Sequence, residues 1–146
     1  MKFRLIIGKE HPEEVCVYAQ KESRLTQAIR QLCEEDALRL VGYRDKEAVR
    51  IHLHEVCCFA VEDNKVYAHT LGGKYLLKCR LYTLEEELPE SFVKINQSCI
   101  ANLERIQRFD ASFAGTLNVY FQNGYFDYVS RRNLKTVKER MAKFYE

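Results

Sequence analysis

Short apolar runs separated by polar turns make up most of the chain, and their spacing predicts strands. Residues 2–7 and Val15-Cys16-Val17-Tyr18 read as two of them. From Ser23 to Asp36 the period changes. Leu25, Ala28, Ile29, Leu32 and Cys33 follow an i, i+3, i+4, i+7, i+8 stripe, which predicts an amphipathic helix. Residues 38–43 and 48–53 flank a short charged turn and predict a hairpin, with a soft boundary near residue 45 and no Pro/Gly/Ser-rich linker.

Beyond residue 56 the strand pattern is nearly continuous. The run 56–61 ends in the polar turn Glu62-Asp63-Asn64, and residues 65–70 follow. Gly72-Gly73 predicts the next turn, because glycine accepts the positive φ such turns need. Leu81, Leu84 and Leu88 share one face of a short helix that Pro89 closes. Residues 92–95 and 98–101 enclose Asn96-Gln97. Strands are then predicted at 103–109, 116–121 and 125–129, with Asn123-Gly124 as a hairpin turn. The last segment, 131–144, has Leu134, Val137, Met141 and Phe144 on one helical side and Arg131, Lys135 and Lys138 on the other. Ser130 is the expected N-cap. The pattern is α+β: a strand–strand–helix extension over 1–45, then a strand-rich domain with short helices and a C-terminal helix over 46–146.

Composition narrows the class. With 146 residues, 47% of them hydrophobic and 30% charged, the chain can bury a core. Nine Tyr and eight Phe with no Trp favour strands. No apolar run is long enough to span a bilayer, and the N-terminal apolar stretch is too short for a signal peptide, so a cytoplasmic protein is expected. The six cysteines form no C-x-x-C and no zinc-finger spacing. Most sit in apolar segments, where small core residues are expected. The net charge of +2 conceals an asymmetry: residues 1–45 sum to zero, 46–90 to −2 and 91–146 to +4. A basic C-terminal third can present a face that attracts phosphate.

No catalytic constellation is present. The chain has no Gly-rich phosphate loop, no G-x-S-x-G and no H-E-x-x-H. His52 and His54 sit two apart on a predicted strand and could form a metal pair, but two polar residues on a half-exposed strand have the same pattern. Glu85-Glu86-Glu87 reads as a solvated helix face. Polar and basic residues instead collect where strands turn, at Asp63-Asn64-Lys65, Lys94 to Ser98, and Ser130-Arg131-Arg132-Asn133. Lys, Ser and backbone amides hold phosphates, while Arg, Asn and Gln can read base edges. Surface turns are commonly polar, so residue types alone do not separate a DNA surface from ordinary loops.

Three separated motifs do. Leu-Glu-Glu-Glu-Leu-Pro at 84–89, Phe-Val-Lys-Ile-Asn-Gln-Ser-Cys-Ile-Ala-Asn-Leu at 92–103 and Tyr-Val-Ser-Arg-Arg-Asn-Leu-Lys at 128–135 resemble the LytTR DNA-binding family in order and spacing. Lys65 to Thr70 and Gly73-Lys74-Tyr75 fit its earlier strands, and the resemblance covers about residues 46–146. It implies a mostly antiparallel β domain whose loops enter double-stranded DNA at promoter repeats, with two protein copies on the duplex. It implies a transcriptional regulator, not an enzyme, with no cofactor and no metal. Carried over by position, the contacts fall on Asn64, Lys65, Lys94, Asn96, Gln97, Ser98, Arg131, Arg132, Asn133 and Lys135. Arg132 and then Asn64 are the expected base readers. Lys94, Ser98, Arg131 and Lys135 are the expected phosphate contacts. Residues 1–45 are too short for a receiver domain, so the resemblance is to the stand-alone type. The extension is expected to pack on the domain and contribute to a dimer contact. A membrane-protein regulator is suggested only by some stand-alone relatives. The alternatives are a protein-interaction module of the same fold without DNA binding, and a small metal- or nucleotide-dependent enzyme built on His52, His54 and the cysteines.

Overall fold

The computed structural model describes residues 2, 4–12, 14–111 and 115–145, without the side chains of 34–37 and 145. The elements in chain order are α1 (Arg24–Ala37), β1 (Leu40–Arg44), β2 (Glu47–Ile51), β3 (Val56–Glu62), β4 (Lys65–Thr70), β5 (Gly73–Leu77), α2 (Leu81–Glu87), β6 (Phe92–Asn96), β7 (Cys99–Asn102), β8 (Ile106–Ala111), β9 (Leu117–Phe121), β10 (Phe126–Val129) and α3 (Leu134–Tyr145). They form a seven-stranded antiparallel sheet, ordered β2-β1-β5-β4-β3-β7-β6, and a three-stranded sheet, ordered β10-β9-β8.

The apolar run Val-Cys-Cys-Phe-Ala-Val becomes β3, between β4 and β7. A strand covered on both faces needs apolar residues at successive positions rather than alternate ones. On one face Val56 and Phe59 join Val66, Leu77, Leu81, Leu84, Phe92 and Ile100, closed over by α2. On the other, Cys57, Cys58 and Ala60 join Val93, Ile95, Cys99, Leu103, Val119, Phe121 and Val137, closed over by the three-stranded sheet and α3. The Leu81-Leu84-Leu88 stripe and the Leu134-Val137-Met141-Phe144 stripe both face these cores, as their periodicity predicts. The α3 helix is tied down at its outer end, where Lys143 Nζ meets Glu90 Oε2 at 2.6 Å and Arg140 donates to the Glu90 carbonyl at 2.7 Å.

Helix α1 starts at Ser23, whose hydroxyl accepts from the Thr26 amide while Thr26 Oγ1 accepts from the Ser23 amide. The hairpin predicted at 38–53 forms as β1 and β2, and β1 pairs with β5 at Tyr43 opposite Leu76.

Four local expectations change. No strand forms among the described residues of 2–7 and 15–18; Leu5, Ile6, Ile7, Val15, Val17 and Tyr18 are exposed, and Phe3 lies outside the described residues. Apolar β-formers favour extended backbone, but a strand needs a neighbour to take its amides and carbonyls. His52 and His54 do not share a strand face, because Leu53–Glu55 turns as a 3-10 helix. The strand predicted from 103 begins at Ile106, after a second 3-10 turn at Leu103–Arg105. Ser130 does not cap α3. Residues 131–133 form a turn, and the first α-helical bond runs from the Val137 amide to the Asn133 carbonyl, three residues later than expected.

A buried histidine lies between the sheets. His69 stacks on Tyr125 with ring centroids 4.1 Å apart, and its Nε2 lies 3.2 Å from Glu62 Oε1. Burial holds the His69 pKa below its usual 6.5, with the Glu62 carboxylate opposing that shift. The unfolded chain therefore binds a proton that the folded chain resists, and stability present above pH 6.5 is lost as pH falls below it. Thermal unfolding is expected to show a lower Tm at pH 5.5 than at pH 7.5. His69→Gln, which does not titrate, should reduce that difference; an undiminished difference would assign it to other groups.

Candidate nucleic-acid interface

The antiparallel register decides which turns lie together. Strand β3 ends at the tip Asp63-Asn64, where Glu62 pairs with Lys65 across a two-residue turn. Asp63 and Asn64 have φ of 49° and 63°, so both central positions are left-handed. Such primed turns match the twist of a hairpin, and Asp and Asn tolerate the conformation better than most residues. Asn64 and Lys65 are carried exposed at this tip.

Strand β7 runs antiparallel to β3, with Cys99 opposite Ala60. The Gln97-Ser98 turn therefore lies beside the end of β3, and the Ser98 carbonyl accepts from the Val61 amide at 2.8 Å. Both side chains of that turn are exposed. On the far side of β6, the Ser130 amide donates to the Ile95 carbonyl at 2.8 Å, and the Asn133 amide donates to the Ser130 carbonyl at 3.0 Å. These bonds hold the 131–133 turn next to the β6 end, with Arg131, Arg132 and Lys135 exposed and Asn133 half-buried. All three polar turns thus sit at one end of the molecule.

Asn96 behaves differently from its neighbours. It is 3% exposed. Its Nδ2 donates to Asp127 Oδ1 at 2.9 Å and to the Tyr128 carbonyl at 2.8 Å, and its Oδ1 accepts from the Ser98 amide at 2.8 Å. Asn96, expected among the DNA contacts, instead has its side-chain amide engaged within the fold, where it joins the β6–β7 turn to β10. Lys94 is half-buried, and its Nζ lies 3.8 Å from Glu85 Oε2 on α2, which offsets part of its charge.

Asn64, Lys65, Lys94 and Gln97 line one open groove of about 830 Å³. The same groove takes in Lys78 and Arg80, which the sequence pattern does not single out. The available signal is the strand order: Val66 pairs with Leu77, so the residues after β5 emerge beside the 63–65 tip. Arg131, Arg132, Asn133 and Lys135 are not among the residues lining this groove.

Among the described residues no group of three or more His, Cys, Asp or Glu could hold a metal ion. Cys57, Cys58 and Cys99 are buried, as small core residues are, whereas Cys16 and Cys33 are exposed. A hydrogen bond to Cys58, together with burial, pushes the Cys99 thiol well above its usual value, so it stays protonated.

Fold and site together define a β domain that presents turns, rather than a helix, at a basic end. Among the described residues no helix follows another helix directly, so no helix-turn-helix is present. The model of the LytTr DNA-binding domain matches residues 46–142. An uncharacterized HTH-type transcriptional regulator of Staphylococcus aureus (strain bovine RF122 / ET3-1) is 35% identical over 145 residues, 97% of this chain and 99% of its own length. A protein with the same description in strain NCTC 8325 / PS 47 is 34% identical over the same coverage. A solved LytTr DNA-binding domain from Bacillus cereus superposes with a TM-score of 0.66 at 19% identity, over 70% of this chain and 95% of that one. This chain belongs to the LytTR DNA-binding domain family, which is not a family of enzymes.

Proposed function

We propose that the chain is a sequence-specific transcriptional regulator that inserts its turns into duplex DNA. The reading rests on one observation: strand register and two backbone bonds bring the 63–65, 97–98 and 131–135 segments to the same end of the fold. Arg132 and Asn64 are the base readers in this account. Gln97 lies between them on a turn tied down by the Ser98 hydrogen bonds, and Lys65, Lys94, Ser98, Arg131 and Lys135 hold phosphates. Each type suits its role, since a guanidinium fork matches guanine and a carboxamide matches adenine, while an ammonium serves as a point charge. Asn133 fits a backbone role better, because its carbonyl starts α3.

Paired operator repeats would need two copies of the protein. The exposed apolar residues Leu5, Ile6, Ile7, Val15, Val17, Leu25 and Leu32 of the N-terminal extension support a homodimer formed there. Selection of duplexes from a random pool by the purified protein tests the reading. A repeated motif is the expected result, and an unenriched pool would favour the protein-interaction module.

Asn64 offers a clean substitution. Glycine keeps the left-handed turn while removing the carboxamide. Asn64→Gly is expected to change stability by no more than about 0.5 kcal/mol, as exposed substitutions usually do, and to cost roughly 1–3 kcal/mol of discrimination at one operator position. Wild-type discrimination at every operator position in Asn64→Gly would remove Asn64 from base reading.

A further inference from the structure

We infer that Lys78 and Arg80 form a further phosphate-holding element, on the flank of the interface beyond the 63–65 tip. The inference rests on the DNA-binding reading and extends its footprint. Among the described residues four cations, Lys65, Lys78, Arg80 and Lys94, line the groove, and no carboxylate lines it with them. Lys78 and Arg80 are exposed. Arg80 has no ion pair among the described residues, whereas Lys94 is partly neutralised by Glu85. Lys78 is held in place by Tyr43, with its Nζ 4.3 Å from the ring centroid. That packing reduces the freedom given up on binding and leaves the ammonium protons available to an anion.

Spacing favours a phosphate over a base. From β7 to β5 the sheet crosses two strands, β3 and β4. Three steps of about 4.8 Å place the residues after β5 roughly 14 Å from the Gln97 turn. The major groove is about 12 Å wide, so a residue that far to the side of a turn seated within it lies beyond the groove edge, over the sugar–phosphate strand. The groove's apolar floor, including Val61, Val66 and Leu77, makes no demand for base hydrogen bonds. The rim cations supply charge without sequence.

The test measures affinity against salt for the wild type, Arg132→Ala, Arg80→Gln and the double variant Lys78→Ala/Arg80→Ala. The probes are a duplex enriched by the wild type and a shuffled duplex. Removing one cation from a phosphate should lower the slope of log affinity against log salt by about 1. Arg80→Gln is expected to lower it by about 1 and the double variant by about 2, on both duplexes alike, with an unchanged melting temperature. Wild-type slopes in both variants, with Arg132→Ala still impaired, would overturn this element and leave the DNA-binding reading intact. Failure of the wild type to bind any duplex at low salt would overturn both. Should the double variant not fold, Arg80→Gln alone decides.

Discussion

Asn96→Ala is expected to unfold at markedly lower temperature and to lose affinity for every duplex in parallel. The Asn96 side chain is buried and makes three hydrogen bonds, to Asp127, to the Tyr128 carbonyl and from the Ser98 amide. Truncation leaves these partners with less than their full complement in a place where water does not easily replace it. Each buried group left unsatisfied costs about 1–3 kcal/mol, and relaxation recovers part of it, so a destabilisation of about 2–4 kcal/mol is expected. A domain of this size has roughly 5–15 kcal/mol in total, which makes the effect large. The same bonds join the Gln97-Ser98 turn to β10 and hence to the 131–133 turn. Their removal should loosen the spacing of the two turns proposed to enter DNA, without altering any base preference. Urea unfolding and a binding series over altered operators check both parts. An unchanged midpoint with a shift of preference at one base position would make Asn96 a reader after all.

Arg132→Ala should do the opposite, leaving the melting temperature unmoved while affinity for the operator falls about 10- to 100-fold, in line with about 1–3 kcal/mol for a paired contact to one base. The side chain is exposed on a turn that backbone bonds hold against β6, so its removal leaves the packing intact. Arg132→Lys should not restore discrimination, because an ammonium cannot make two parallel bonds to one base edge. Lys135→Ala supplies the contrast, with weaker binding to all sequences and a shallower salt slope. If Arg132→Ala weakened random and selected duplexes equally, Arg132 would be a phosphate contact.

The double-sided core is legible in the sequence because continuous apolar runs such as 56–61, and helical stripes such as Leu134 to Phe144, have only a few ways to be buried. Segments 2–7 and 15–18 mislead because apolar alternation reports a preference for extended backbone, and pairing depends on what lies alongside. The register shift between Lys94 and Asn96 accounts for another difference. A polar residue in a turn reads as solvent-facing, yet this irregularity is followed by Asn96 turned inward, where Asp127, 31 positions away, awaits its amide. No local pattern contains that partner. Arg80 is hidden for a related reason, since its nearness to Asn64 follows from the pairing of β4 with β5 and not from sequence distance.

The most direct test of the central claim is a competition titration of the wild-type protein on its selected duplex, with shuffled duplex as competitor, at about 50 and 200 mM salt. The account predicts binding that resists the competitor at both concentrations. It also predicts a fall in affinity on the order of 10³-fold or more between them, as expected for six or more phosphate contacts. Equal competition by shuffled duplex would contradict sequence recognition by the turns. The absence of binding at the lower salt would contradict the interface altogether.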